Sequence, residues 1–185
     1  DGVGEDRGGL VAVAIEGVSS LCFEASSLAT ATGDESGRRL YRILVPLSKF
    51  RGARWGLDLA TQAVEIHGGN GYIETWGTAR QLRDAQCHTI WEGAENIICL
   101  AVLRSMAKDR AHDALLDRVD RALSGTSHPA LGSVKDVIAQ ARRDAQEIIL
   151  FLARADNDVR QLHARRVTAW LSDLMQAALL LEQAE

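Results

Sequence analysis

The residues best suited to chemistry lie in one segment, 65–96, which reads EIHGGNGYIETWGTARQLRDAQCHTIWEGAEN. Glu92 stands between Trp91 and Gly93, just ahead of a long apolar-periodic run. A carboxylate there has two readings. It can be a helix-start acid, gaining about 0.3–1 kcal/mol from the dipole. It can also be a general base, with Trp91 stripping water from it and Gly93 leaving the neighbouring backbone amide open to a bound carbonyl. Upstream, Gly68-Gly69-Asn70-Gly71 brings backbone amides near the surface with no side chain in the way, which suits a phosphate or an adenine. The same glycines are an ordinary helix stop. No strand precedes them, so the strand–glycine–helix fingerprint of dinucleotide folds does not apply. His67, Cys87 and His88 lack the HxxxH or CxxC spacing of a metal site, and no metal is expected. No serine sits in a nucleophile elbow, and GxxxxGK is absent.

These residues must be positioned by helices. Apolar residues recur at helical spacing over 10–32, after a polar, glycine-rich lead-in at 1–9 that should fray. Gly33-Asp34 ends that helix and offers a cap for the next, expected over 35–67, with Pro46 kinking it. Residues 68–76 form a loop, 77–86 a short helix and 87–93 an irregular stretch. One helix is then expected over 94–123. Residues 124–129, SGTSHP, make the clearest linker. Beyond it two amphipathic helices carry apolar stripes over 134–152 and 159–181, more than a lone hairpin can cover. The fold class is therefore all-α, an antiparallel helical bundle over 1–123 with an extra C-terminal helical pair, 124–185, packed on it or on a second chain.

Composition narrows the function. The 185 residues carry 21 basic and 25 acidic side chains, a net charge of −4, which excludes a general polyanion binder. One local exception is the run Arg38, Arg39, Arg42, Lys49, Arg51 and Arg54, with no acid between its ends. A solvated helix face is its ordinary meaning, and a weak, salt-sensitive DNA contact is the alternative. There is no uninterrupted apolar run of 18 residues, so no membrane span is expected. Three cysteines without a CxxC pair suggest reduced thiols in a cytoplasmic protein.

The stretch from Ala63 to Arg104 resembles the C-terminal domain of the acyl-CoA dehydrogenase family. The family's Q-x-x-GGxGY turn, its RD helix and its I-x-EGT turn correspond here to Glu65-Ile66-His67-Gly68-Gly69-Asn70-Gly71-Tyr72, Arg83-Asp84 and Ile90-Trp91-Glu92-Gly93-Ala94. The interval from Gly68 to Glu92 matches without a gap. Two positions depart: Glu65 replaces the usual glutamine, and Ala94 the usual threonine or serine. Trp91-Glu92-Gly93, Asn96-Ile97 and Leu103-Arg104 are most similar to the branch associated with the response to alkylation damage, which implies the alternative reading, a flavoprotein with weak dehydrogenase activity that associates with DNA.

The resemblance implies an FAD-dependent enzyme that places a double bond between the α and β carbons of an acyl-CoA thioester. Glu92 takes the position of the base that removes the α proton, while the β hydride passes to the flavin. The amide of Glu92 would polarise the thioester carbonyl and Gly93 would lie against the substrate. Glu65, Ile66, His67, Gly68 and Gly69, together with Ala94, Glu95 and Asn96, would border FAD across a subunit interface in a dimer or tetramer. The family's preceding domains are not in this sequence, so it resembles a C-terminal fragment, expected to turn over little and to hold no flavin tightly by itself. A purely structural oligomerisation module is the third possibility.

Overall fold

In the computed structural model, residues 3–30 and 34–185 are described, with side-chain detail from residue 9 onward. Eight α-helices follow in order: α1 (Val3–Ala29), α2 (Glu35–His67), α3 (Gly69–Tyr72), α4 (Gly77–His88), α5 (Glu95–Asp109), α6 (Ala111–Gly125), α7 (Gly132–Arg154) and α8 (Asn157–Gln183). A 3-10 turn, Pro129–Leu131, precedes α7, and there is no strand among the described residues. The α1 helix begins at Val3, so most of the expected lead-in is helical, while its first two residues and the expected stop at Gly33 lie outside the described residues. Helix α2 starts where Asp34 accepts the amides of Ser36 at 3.0 Å and Gly37 at 3.1 Å, a cap worth about 1 kcal/mol. It then runs through Pro46 to His67.

Two expectations need correction. The loop at 68–76 contains a helical turn, α3, because Gly71 donates to Gly68 O at 3.0 Å once Gly68 has turned the chain at φ 58°. The single helix expected over 94–123 is two. Arg110 adopts the left-handed conformation, φ 50° and ψ 37°, and separates α5 from α6.

One large apolar cluster joins α1, α2, α5, α6, α7 and α8. It contains Leu21 of α1, Leu44 of α2, Val102 of α5, Leu115 of α6, Ile149 of α7 and Leu171 of α8. Helix α8 packs on α1, α2, α5, α6 and α7. Of the two C-terminal stripes, Leu171 and Leu174 are buried, Ile148 is half-buried, and Val137 is exposed. Contrary to the sequence expectation, the segment Gly9–Ala29 of α1 is long and apolar enough to cross a membrane. Within this fold one of its faces packs inward: Leu21 is fully buried, and Glu24 accepts from Arg118 of α6 at 2.6 Å, beside Glu182 of α8 at 2.6 Å, while Leu10, Val13, Ile15 and Phe23 are exposed.

All the buried side chains of α2 lie at or before Phe50. Its second half extends past the main core, with α4 running back along it. That geometry decides where the candidate site residues stand.

Candidate active site

Glu92 sits in the turn that joins α4 to α5. The amides of Ile90 and Trp91 both donate to Cys87 O at 3.0 Å, closing the end of α4. Lys49 of α2 donates from Nζ to His88 O at 2.6 Å and ties that end down. Glu92 and Gly93 then adopt positive φ in succession, 58° and 119°. For a residue with a Cβ, this backbone costs about 1–2 kcal/mol. Such strain is retained where surrounding contacts over-determine it, and it clusters at functional turns. A Cβ on Gly93 would meet Ile98 Cδ1 at 3.3 Å, so the turn lies close on its own helix. The chain enters α5 at Ala94, which makes no side-chain cap, and Ile97 donates to Ala94 O at 2.8 Å.

The Glu92 carboxylate is exposed, and Trp91 is 56% exposed. The expected shielding of Glu92 by Trp91 is therefore not built within this chain. The Glu95 carboxylate turns inward, 16% exposed, between Arg54 of α2 and Arg165 of α8. Arg165 Nε lies 2.6 Å from Glu95 Oε1, an ion pair without hydrogen-bond alignment. The Arg54 guanidinium donates to Glu95 Oε2, which holds Arg54 still more firmly protonated than an ordinary arginine. Ala94 and Asn96 remain beside Glu92 on the turn, both exposed.

The glycine turn is elsewhere. Fourteen residues of α2 separate Arg54 from Gly68, about 21 Å at 1.5 Å per residue. The chain thus presents two half-sites, Glu92 to Asn96 and Glu65 to Gly69. At the second, Gly68 closes α2 by donating to Glu65 O at 3.1 Å, and nothing lies within 4 Å of a Cβ placed on Gly68 or Gly69. His67 spends Nδ1–H on its own helix, donating to Ala63 O at 2.7 Å. Glu65 and Ile66 are exposed, as is Tyr72. The Arg83 guanidinium grips Glu74 through two bonds, 2.6 and 2.8 Å, pulling that carboxyl below its usual range and bracing the loop onto α4.

Sequence reasoning missed Lys49, Arg54 and Arg165. Arg165 had no signal in the sequence, whereas Lys49 and Arg54 belong to the acid-free basic run, expected to be one solvated stripe. In the fold its members have acceptors: Arg38 and Arg39 on Glu35, Arg42 on Asp109, Lys49 on His88 O, Arg51 on Asp173, and Arg54 on Glu95. Cys22 and Cys87 are exposed, Cys99 is buried, and all three are free; burial pushes the Cys99 thiol up.

The family model for the acyl-CoA dehydrogenase C-terminal domain matches residues 5–107, more than half of the chain and both half-sites. The chain belongs to the acyl-CoA dehydrogenase family. Among curated relatives of this acyl-CoA dehydrogenase domain, AidB of Escherichia coli is 29% identical over 138 residues, 75% of this chain and 26% of the relative. Acyl-CoA dehydrogenase family member 11 of Caenorhabditis elegans is 30% identical over 139 residues, 70% of this chain and 22% of the relative. The crystal structure of Caenorhabditis elegans ACDH-11 in complex with C11-CoA superposes with a TM-score of 0.86 at 25% identity, over 93% of this chain and 31% of that one. The chain therefore spans about a quarter of the length of the curated relatives it matches. That acyl-CoA dehydrogenase likeness in structure extends beyond residue 107, through α6, α7 and α8.

Proposed function

We propose that this chain is the C-terminal helical domain of an FAD-dependent acyl-CoA dehydrogenase and that Glu92 is its base. The observation that carries the reading is the Glu92–Gly93 turn: an exposed carboxylate on successive positive-φ residues, with the backbone fixed from both sides. A base must reach a carbon-bound proton beside a thioester, and an outward carboxylate on a rigid turn meets that need when substrate covers it. Substrate and the covering domain would supply the desolvation that Trp91 does not.

The glycine turn fits a flat or diphosphate ligand group, because the Cβ directions of Gly68 and Gly69 are open. FAD, when bound, supplies the hydride acceptor. This chain's part is to take the α proton on the Glu92 carboxylate, offer the Glu92 amide to the thioester oxygen, and border the cofactor through Glu65–Gly69 and Ala94–Asn96. The 21 Å or so between the half-sites favours contact with different parts of an extended cofactor, or with cofactors in different protomers. Exposed Ile66, Tyr72, Trp76, Ile90 and Trp91 around them support a surface covered by a further domain or a partner copy.

The test is Glu92→Gln in the longest polypeptide that contains this chain. Flavin content should stay unchanged while acyl-CoA dehydrogenation drops by a factor of 10² or more, as loss of a general base does. Retention of most turnover would move the base to another carboxylate.

A further inference from the structure

Helix α8 lies wholly outside the matched span 5–107, yet it forms one wall beneath the Glu92 turn. A small apolar cluster, separate from the main core, joins Phe50 of α2, Cys99 of α5 and Ala164 of α8, with Ile98 packed against it. Ile98 is also the residue on which Gly93 rests. Next to Ala164, Arg165 reaches Glu95, the first residue of α5 and three positions past Glu92. Arg54 holds the other oxygen of the same carboxylate. Farther along, Arg51 of α2 bonds Asp173 and donates to Ala169 O at 3.2 Å, so α8 is fixed to α2 on the same side.

We infer that Arg165 is a positioning residue: with Arg54 it clamps Glu95 and thereby fixes the left-handed turn that aims Glu92. This rests on the proposed role of Glu92. The argument is mechanical. A turn with two positive-φ residues has lower-energy alternatives, and α5 lacks a side-chain cap to select its first turn. Glu95 is the first side chain after the turn that is anchored to other helices. Its upstream counterpart is the Lys49 bond to His88 O. A turn held at both ends keeps its aim. Released at one end, it samples other φ values, and the carboxylate loses its fixed distance to the proton. Arg165 is itself 63% exposed, so its pair adds little to global stability while still choosing local geometry.

The experiment compares Arg165→Met with Arg165→Lys. In the chain itself, amide exchange at Ile97 and Ile98, which donate to Ala94 O, should speed about tenfold in Arg165→Met and return within threefold of the parent in Arg165→Lys. Protection of the α8 amides should hold in both. In the longest polypeptide containing the chain, Arg165→Met should lower kcat about tenfold with KM within twofold. Unchanged exchange at residues 97 and 98, or loss of protection spread evenly over α8, would overturn the inference. Glu92→Gln separates the two readings. If it keeps turnover while Arg165→Met still loosens residues 97 and 98, the base assignment falls and the clamp on the turn stands. If it abolishes turnover while Arg165→Met alters neither exchange nor kcat, the clamp falls alone.

Discussion

Gly69 and Gly71 are two residues apart and are glycine for different reasons. A Cβ on Gly71 would lie 2.9 Å from Val64 Cα and closer still to the Val64 carbonyl, because the turn folds flat against the end of α2. A Cβ on Gly69 would meet nothing within 4 Å. Gly71→Ala should therefore lower the unfolding free energy of the chain by about 1–3 kcal/mol, the usual range for overpacking a rigid contact. Gly69→Ala should leave it within about 0.5 kcal/mol, as an exposed substitution does. Urea denaturation of the two variants checks this, and equal losses would refute the open cradle at Gly69. In the sequence, the helix-stop and ligand readings of GGNG competed as alternatives. In the fold they divide between residues: Gly68 stops α2 at positive φ and Gly71 is required by packing, whereas nothing in the chain requires Gly69.

Most of the elements were legible, because a 3.6-residue apolar period with a cap such as Asp34 leaves little freedom in where a helix begins. The corner at Arg110 was not, since the apolar period continues across it and no glycine or proline marks it. A weak sign was the polar run Lys108-Asp109-Arg110-Ala111-His112-Asp113, in which only Ala111 is apolar. Tertiary packing makes the break: α5 lies against α2 and α8, whereas α6 must turn to reach α7 as well. The turn that carries Glu92 was legible as a motif, and the ion pair beneath it was not, because Arg165 is 70 residues away in sequence from Glu95. The corner carries its own prediction. Arg110 sits in a left-handed conformation costing a residue with a Cβ about 1–2 kcal/mol, and its exposed bond to Asp113 returns little. Arg110→Gly should therefore raise the melting temperature by a few degrees in thermal denaturation, despite glycine's extra chain entropy. A lower melting temperature would mean that the Arg110 side chain matters more than its backbone.

At the scale of the molecule there is one large core, and the linker at 124–129 does not divide it. Leu115 and Val119 of α6 are buried in the same cluster as Ile149, Leu171 and Met175 from beyond the linker. Cutting the chain after residue 123 should uncover that cluster, replace a cooperative melt by a broad one, and bring binding of a hydrophobic dye such as ANS. A sharp melt of the 1–123 piece would show that the bundle stands without α7 and α8. The grip of Arg165 on Glu95 also has a consequence for grafting. The acid lies inside the span that the family model matches and the cation lies outside it. A chimera that grafts residues 5–107 onto another protein's C-terminal helices would carry the carboxylate into a setting that no longer supplies its cation. A chimera joined after α8 instead would keep the pair together.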